Sequence, residues 1–319
     1  SVRVHPRFER HMNKRTPKRH PRPAMLRVGG ASEIPNVLRS FEIDPEEVLS
    51  ASGINPKLFN DPGNLITYAA RDRLFTECVS RTGCQHFGLL VGKRMNLNSL
   101  GLIGLLMKTS TNVETALRSL VNFLHLHSQG AVMTLRIDDD LAMLTYDAIG
   151  PGLEATRQTG DGAVAMMLNV MRTLCGREFK PVEVSFAHRP PTDIEPYRKL
   201  FRVPLYFDVE HYAIVFSHNW LDVRPPNADT ELQRLLKNQV DALESKYSLE
   251  FPDQVRSVLR SALFTGQASE EEIATLFSIP KHTLSRRLEK FGTGFHELVD
   301  ECRFEIARQM LRDTSLGVG

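Results

Sequence analysis

Apolar residues recur along the chain in two rhythms, and beyond residue 228 only one of them remains. Val113, Ala116, Leu117, Leu120, Val121 and Leu124 fall at helical spacing. Thr111 and Glu114 stand just ahead of them in the pattern of a capping box, which marks a helix start. Residues 44–53 predict a short helix closed by glycine. Residues 68–81 predict a longer one with Ala69, Leu74, Cys78 and Val79 inward. Residues 161–175 predict a third, with Val164, Met167, Leu168, Met171 and Leu174 on one side. Between 131 and 147 the rhythm becomes alternation: Met133, Leu135 and Ile137 interleave with Val132, Thr134 and Arg136. The pattern resumes at Leu141 after Asp138-Asp139-Asp140, so a β-hairpin is expected. Strands are also expected at 182–187 and 212–217.

Pro225-Pro226-Asn227 reads as the start of a linker. Beyond it every apolar stripe is helical. Leu232, Leu235, Leu236, Val240 and Leu243 make one, and Val255, Val258, Leu259, Ala262 and Leu263 the next. Ser269 and Glu272 form a second capping box, with Ile273, Ala274 and Phe277 as the buried face behind it. A new helix follows Pro280, with Leu284, Leu288 and Phe291 inward. Two short helices, a tight turn and a shared small core are the helix–turn–helix pattern. The expected fold class is an α+β N-terminal domain at 28–225 and an all-α domain at 228–319.

Charge sharpens this division. Residues 1–27 carry nine Lys and Arg against one acid, Glu9, while the net charge of all 319 residues is only +2. Pro6, Pro17, Pro21 and Pro23 oppose a helix there, so 1–27 reads as a basic disordered arm. Residues 254–319 hold nine basic and nine acidic side chains, yet Lys281 to Lys290 concentrates four cations against Glu289. That places positive charge on the helix that would enter a major groove. Lys281, His282, Ser285 and Arg286 are the candidate base-reading residues, and Arg287 and Lys290 suit phosphates.

Other chemistry finds little support. The four cysteines form no CxxC pair, which fits reduced thiols in a cytoplasmic protein. No apolar run is long enough for a membrane span, and there is no apolar core of a signal peptide. Asp138-Asp139-Asp140 reads as a solvated turn rather than a metal site. Gly150-Pro-Gly152 and Gly160-Asp-Gly162 are not a phosphate loop, and no hydrolase, zinc-protease or kinase motif is present. His125 and His127, two apart on a predicted helix, point about 200° apart and cannot share a metal. Met166, Met167 and Met171 are core filler that would also suit an adaptable apolar pocket. No enzyme, cofactor or metal is expected, and no effector-pocket residue can be named.

From about residue 255 the chain resembles the DNA-binding domain of AraC/XylS transcription regulators. The carrying residues are Glu272-Ile-Ala, Thr283-Leu-Ser-Arg-Arg-Leu, Gly292-Thr-Gly-Phe295, Glu297-Leu-Val-Asp-Glu-Cys-Arg303 and 307–314. Residues 28–225 resemble the N-terminal effector-binding domain of one branch, through Phe87-Gly-Leu-Leu-Val-Gly92, Leu100-Gly-Leu-Ile-Gly104, 111–120 and 201–222.

The resemblance implies a bacterial regulator that binds double-stranded DNA, answers a small-molecule effector and forms a homodimer. Ser278 stands where the family usually has a turn glycine, and Pro280 where a capping hydroxyl is common. The family domain holds two helix–turn–helix units joined by a long helix, traced here by Phe295, Leu298, Val299, Cys302, Ile306 and Met310. The sequence ends at Leu316-Gly-Val-Gly319, so one reading helix and weak or dimer-dependent DNA binding are expected. The alternative is a sensing and dimerisation fragment that acts through heterodimers.

Overall fold

The computed structural model describes residues 25–128, 131–148, 153–247, 251–265, 268–277 and 279–313. Residues 1–24, Gly150-Pro-Gly152, Ser278 and Leu316 to Gly319 lie outside the described residues, as do the side chains of Ile306 and Met310. The last three residues of the basic segment are ordered into the fold. Met25–Arg27 forms β1, antiparallel to β2 at Leu65–Thr67. These strands of three residues carry too little alternation to show in the sequence.

Helices α1 (Ile34–Arg39), α2 (Pro45–Ala51) and α3 (Tyr68–Thr82) follow. Asp44 caps α2 by accepting from the Glu46 N–H. On α3, Leu74 and Cys78 are buried as expected, but Ala69 is exposed and Ala70 and Arg71 take the inward positions. The segment beginning at Phe87 is helical: α4 spans Phe87–Arg94 and α5 spans Leu102–Lys108. Helix α6 spans Val113–Phe123, and its cap is Asn112, whose side chain accepts from the Thr115 N–H. The Thr111–Glu114 box therefore does not form. Asn is as good a cap as Thr and stands one residue nearer the first buried position, Val113.

The hairpin is present as β3 (Ala131–Ile137) and β4 (Leu141–Ala148), and Asp138 to Asp140 turn in solvent between them. Helix α7 covers Leu153–Cys175, starting eight residues before the predicted position. Gly160 and Gly162 weaken helix propensity and hide that first part. Then come β5 (Glu183–Phe186), α8 (Glu195–Phe201), β6 (Leu205–Phe207) and β7 (Tyr212–Ser217). The sheet order is β3-β4-β7-β5-β6, antiparallel except for the β5–β6 pair.

Helix α7 is the spine of this body. It packs on β4 and β7 and lies backbone to backbone against α4. A Cβ built on Gly88 would fall 1.9 Å from the Gln158 carbonyl oxygen, and one on Gly92 would fall 2.0 Å from that of Gly162. Only glycine allows this approach. Gln158 also accepts the Gly88 N–H at 2.6 Å, and Asn169 donates to the Gly92, Lys93 and Met95 carbonyls, so α7 side chains satisfy both ends of α4.

Helix α9 (Thr230–Tyr247) packs chiefly on this body. Leu236 and Val240 join the body's core, with Leu243 packed against it, while Leu232 and Leu235 are exposed. The predicted stripe of five thus buries only three residues. The remaining helices are α10 (Phe251–Thr265), α11 (Glu270–Leu276), α12 (Lys281–Glu289) and α13 (Phe295–Asp313). They share a separate small core that includes Val255, Leu259, Ile273, Leu284, Leu288 and Leu298. Phe291, expected inward, is exposed.

Candidate nucleic-acid interface

The α11–α12 pair is built as the sequence predicts. Ser269 accepts from the Glu272 N–H, and the Glu272 carboxylate accepts from the Ser269 N–H at 2.9 Å, completing the capping box. The contact with Ser269 also holds the Glu272 carboxyl below its ordinary range. Ile273 and Ala274 are buried against Leu284 and Leu288. Pro280 is the N-cap of α12 and supplies no side-chain hydrogen bond, so its Thr283 and Leu284 N–H groups are satisfied by the Pro280 carbonyl.

Leu284 and Leu288 fix how α12 is rotated. At 100° per residue Arg286 stands about 200° round from Leu284 and about 160° from Leu288, in the middle of the open face. It is exposed, with His282 and Lys290 beside it. The other candidates sit on the two flanks. Lys281 and Ser285 face α11: the Lys281 ammonium lies 2.5 Å from Glu271 and 3.8 Å from Glu270, and the Ser285 hydroxyl donates to Glu270 at 2.6 Å. The hydrogen bond from Lys281 lowers the Glu271 pKa, and Glu271 in turn raises that of Lys281.

On the opposite flank the Arg287 guanidinium lies 5.5 Å from the Phe251 ring centroid. Arg287, Lys290 and Phe291 line a cleft of about 570 Å³ whose other wall includes His125 and Met133. The structure therefore brings Arg286, His282 and Lys290 to one open face and divides Lys281 and Ser285 from Arg287. Sequence spacing alone could not show the glutamate contacts, because Glu270 and Glu271 belong to another helix.

The two histidines after α6 do not lie on that helix as expected. They follow its end at Phe123, His125 in a 3₁₀ turn and His127 just past it. Burial pushes each down to about 4. His125 Nε2 and His127 Nδ1 are buried without a hydrogen-bond partner. No group of three His, Cys, Asp or Glu side chains among the described residues could hold a metal ion.

A second feature lies inside the body, under α7. It is an apolar cavity of about 100 Å³ whose wall includes Arg71, His127, Tyr146, Met133, Met166 and Met167. Met166 and Met167 thus line a pocket of the adaptable apolar kind that their side chains suit, while Met171 is fully buried core.

Residues 43–225 match the arabinose-binding domain of AraC transcription regulators, N-terminal, which is more than half of the chain. The chain belongs to this AraC-regulator family. It is 21% identical over 295 residues to the ornithine utilization regulator of Pseudomonas aeruginosa, covering 92% of this chain and 86% of that protein. It is 22% identical over 278 residues to the HTH-type transcriptional regulator VirS of Mycobacterium tuberculosis, covering 86% and 82%. The fold is that of the transcriptional regulator CdpR from P. aeruginosa, with a TM-score of 0.53, 19% identity and 91% and 87% of the two chains covered. Both of these relatives are named as regulators, VirS as an HTH-type transcriptional one. No described helix of the chain is long and apolar enough to cross a membrane.

Proposed function

We propose that this chain is a sequence-specific DNA-binding transcription regulator that responds to a small-molecule effector, with 28–225 as effector and dimerisation domain and 228–319 as linker and DNA-binding domain. The observation that supports DNA reading most directly is Arg286 at the centre of the open face of α12, opposite Leu284 and Leu288. With that face in a major groove, Arg286 and His282 reach base edges as they stand. Lys281 and Ser285 join them only after giving up their carboxylate partners. Lys290 and Arg287 take phosphates, which position the helix without carrying sequence information.

The effector would act by population shift. In the present arrangement Arg287 and Lys290 border the cleft with the body, and DNA docking on α12 would require that cleft to open. An effector that binds one arrangement more tightly changes occupancy. A regulator of this kind works in the cytoplasm as a homodimer. One observation favours the competing reading, a sensing fragment of low DNA affinity acting through heterodimers. The glutamates of α11 already occupy two of the four base-reading candidates.

Binding to the DNA upstream of its own gene, titrated across salt, tests the proposal. Specific binding weakens steeply with salt yet keeps its sequence preference. Arg286→Ala should reduce discrimination at one base pair by about 1–3 kcal/mol, while Lys290→Ala should weaken all sequences alike and lower the salt slope by about 1. If Arg286→Ala changes neither affinity nor preference, the assigned reading face is wrong.

A further inference from the structure

The cavity under α7 has a distinct chemistry, and calling its guest the effector rests on the proposed regulator function. The cavity is lined by α3, α7, β3, β4 and the turn after α6. Its volume of about 100 Å³ is of the same order as the engineered apolar cavity of about 150 Å³ that admits benzene. Met95, Met133, Met166 and Met167 stand in its wall, and such side chains re-shape at small cost around a guest.

The polar part of the wall is held rigidly. β1 donates the Arg27 N–H to the His127 carbonyl at 2.9 Å, and the Arg27 Nε donates to the Leu126 carbonyl at 3.0 Å. The Tyr68 hydroxyl and Ser128 Oγ are 2.5 Å apart. The backbone that carries His127 is therefore anchored on both sides.

That polar part is also electrically neutral. Arg71 is only 3% exposed, and both its Nε and Nη2 donate to Asp72 Oδ1, at 3.0 and 2.7 Å. Its charge is already matched by a carboxylate. His127 is uncharged near pH 7, because burial moves its pKa down to about 4. Burial likewise raises the Tyr146 phenol, which keeps its proton. A second anion brought beside the Arg71–Asp72 pair would carry its desolvation penalty, and the other nearby cation, Arg27, stands outside the wall with its guanidinium on the Leu126 and Gly63 carbonyls. A cation would meet the same difficulty. Yet the wall is not wholly apolar in its demands: His127 Nδ1 is buried with no partner, and a neutral imidazole can donate or accept according to its tautomer.

We propose that this cavity binds a small uncharged molecule, about the size of a single aromatic ring, whose one hydroxyl or carbonyl group bonds His127 while the remainder lies among the methionines. Carboxylates and amines of the same size are rejected.

Thermal unfolding of the full chain with four probes of matched size tests this: phenol, toluene, benzoate and benzylamine. Phenol should raise the melting temperature saturably, by about 5–10 °C at roughly a hundredfold excess over its dissociation constant. Toluene should bind at least tenfold more weakly, and benzoate and benzylamine should give no rise. In His127→Leu the advantage of phenol over toluene should disappear. In Ala163→Met, which places a longer side chain in the cavity wall, both rises should disappear. A rise with benzoate or benzylamine equal to that with phenol overturns the neutral assignment, and toluene equal to phenol overturns the role of His127. If no probe acts while the chain still binds its DNA selectively, the cavity is a packing void and the proposal fails with the regulator reading intact. A phenol rise in a chain that shows no selective DNA binding leaves the ligand assignment standing and sinks the regulator reading instead.

Discussion

The contact between α4 and α7 and the contact between α11 and α12 solve the same problem in opposite ways. In the first, side chains are removed: Gly88, Gly92 and Gly162 bring two backbones together, and Gln158 and Asn169 satisfy the ends of α4. In the second, side chains do the holding. A four-residue apolar contact is flanked by Glu270 and Glu271 reaching Lys281 and Ser285. The glycine contact has a single geometry. The charged one has bonds at its surface that a phosphate or a base could exchange. The body that houses the cavity is thus rigid where it touches itself, while the unit proposed to meet DNA keeps its connections exchangeable.

The largest effect expected from this contrast is at the glycine contact. Gly92→Val should destabilise the body by about 3 kcal/mol or more, because its Cβ meets backbone that cannot step aside; chemical denaturation measures it. Leu284→Ala should cost about 2–5 kcal/mol and act on the C-terminal helices alone, so a separate unfolding transition should move while the body's stays. If both transitions move together, the two regions are one cooperative unit and the contrast breaks. Ser269→Ala should remove about 1 kcal/mol from the same transition by deleting the cap of α11. Glu271→Gln should barely change stability, since the Lys281 pair is exposed, but should remove the shorter of that ammonium's two carboxylate contacts, leaving Glu270 at 3.8 Å. DNA affinity should then rise a few-fold, with the salt slope steeper by about 1. An unchanged slope would mean that Lys281 never meets phosphate or base.

Strongly periodic segments are legible in the sequence itself. The stripes of α6, α7 and α10, the hairpin at Asp138 to Asp140 and the capping box at Ser269 all follow from local rules that their surroundings do not override. What stays hidden is tertiary in origin. The first eight residues of α7 look unhelical because Gly160, which the close approach of Tyr212 requires, and Gly162 just beyond it, which faces α4, lower helix propensity. Strand β6 has three residues and pairs in parallel with β5, so nothing nearby in the chain announces it. The α9 stripe predicts five inward leucine and valine positions, but the body offers a surface only wide enough for Leu236, Val240 and Leu243. For the proposed DNA face, the residue types are readable and the rotation of α12 follows from its two leucines. The partners of Lys281 and Ser285 come from a neighbouring helix and are not.

The bare glycine track between α4 and α7 also governs how the protein could register a guest. Because the two backbones already touch, α7 has no clearance to slide toward α4 when the space beneath it fills. The displaced volume must go into methionine rotamers or into a tilt about the track. A tilt would strain the buried Asp161 carboxylate, which α7 extends to His188 at 2.7 Å and to the Tyr197 hydroxyl at 2.6 Å. Occupancy would thus be felt at α8, through the Tyr197 hydroxyl that Asp161 holds.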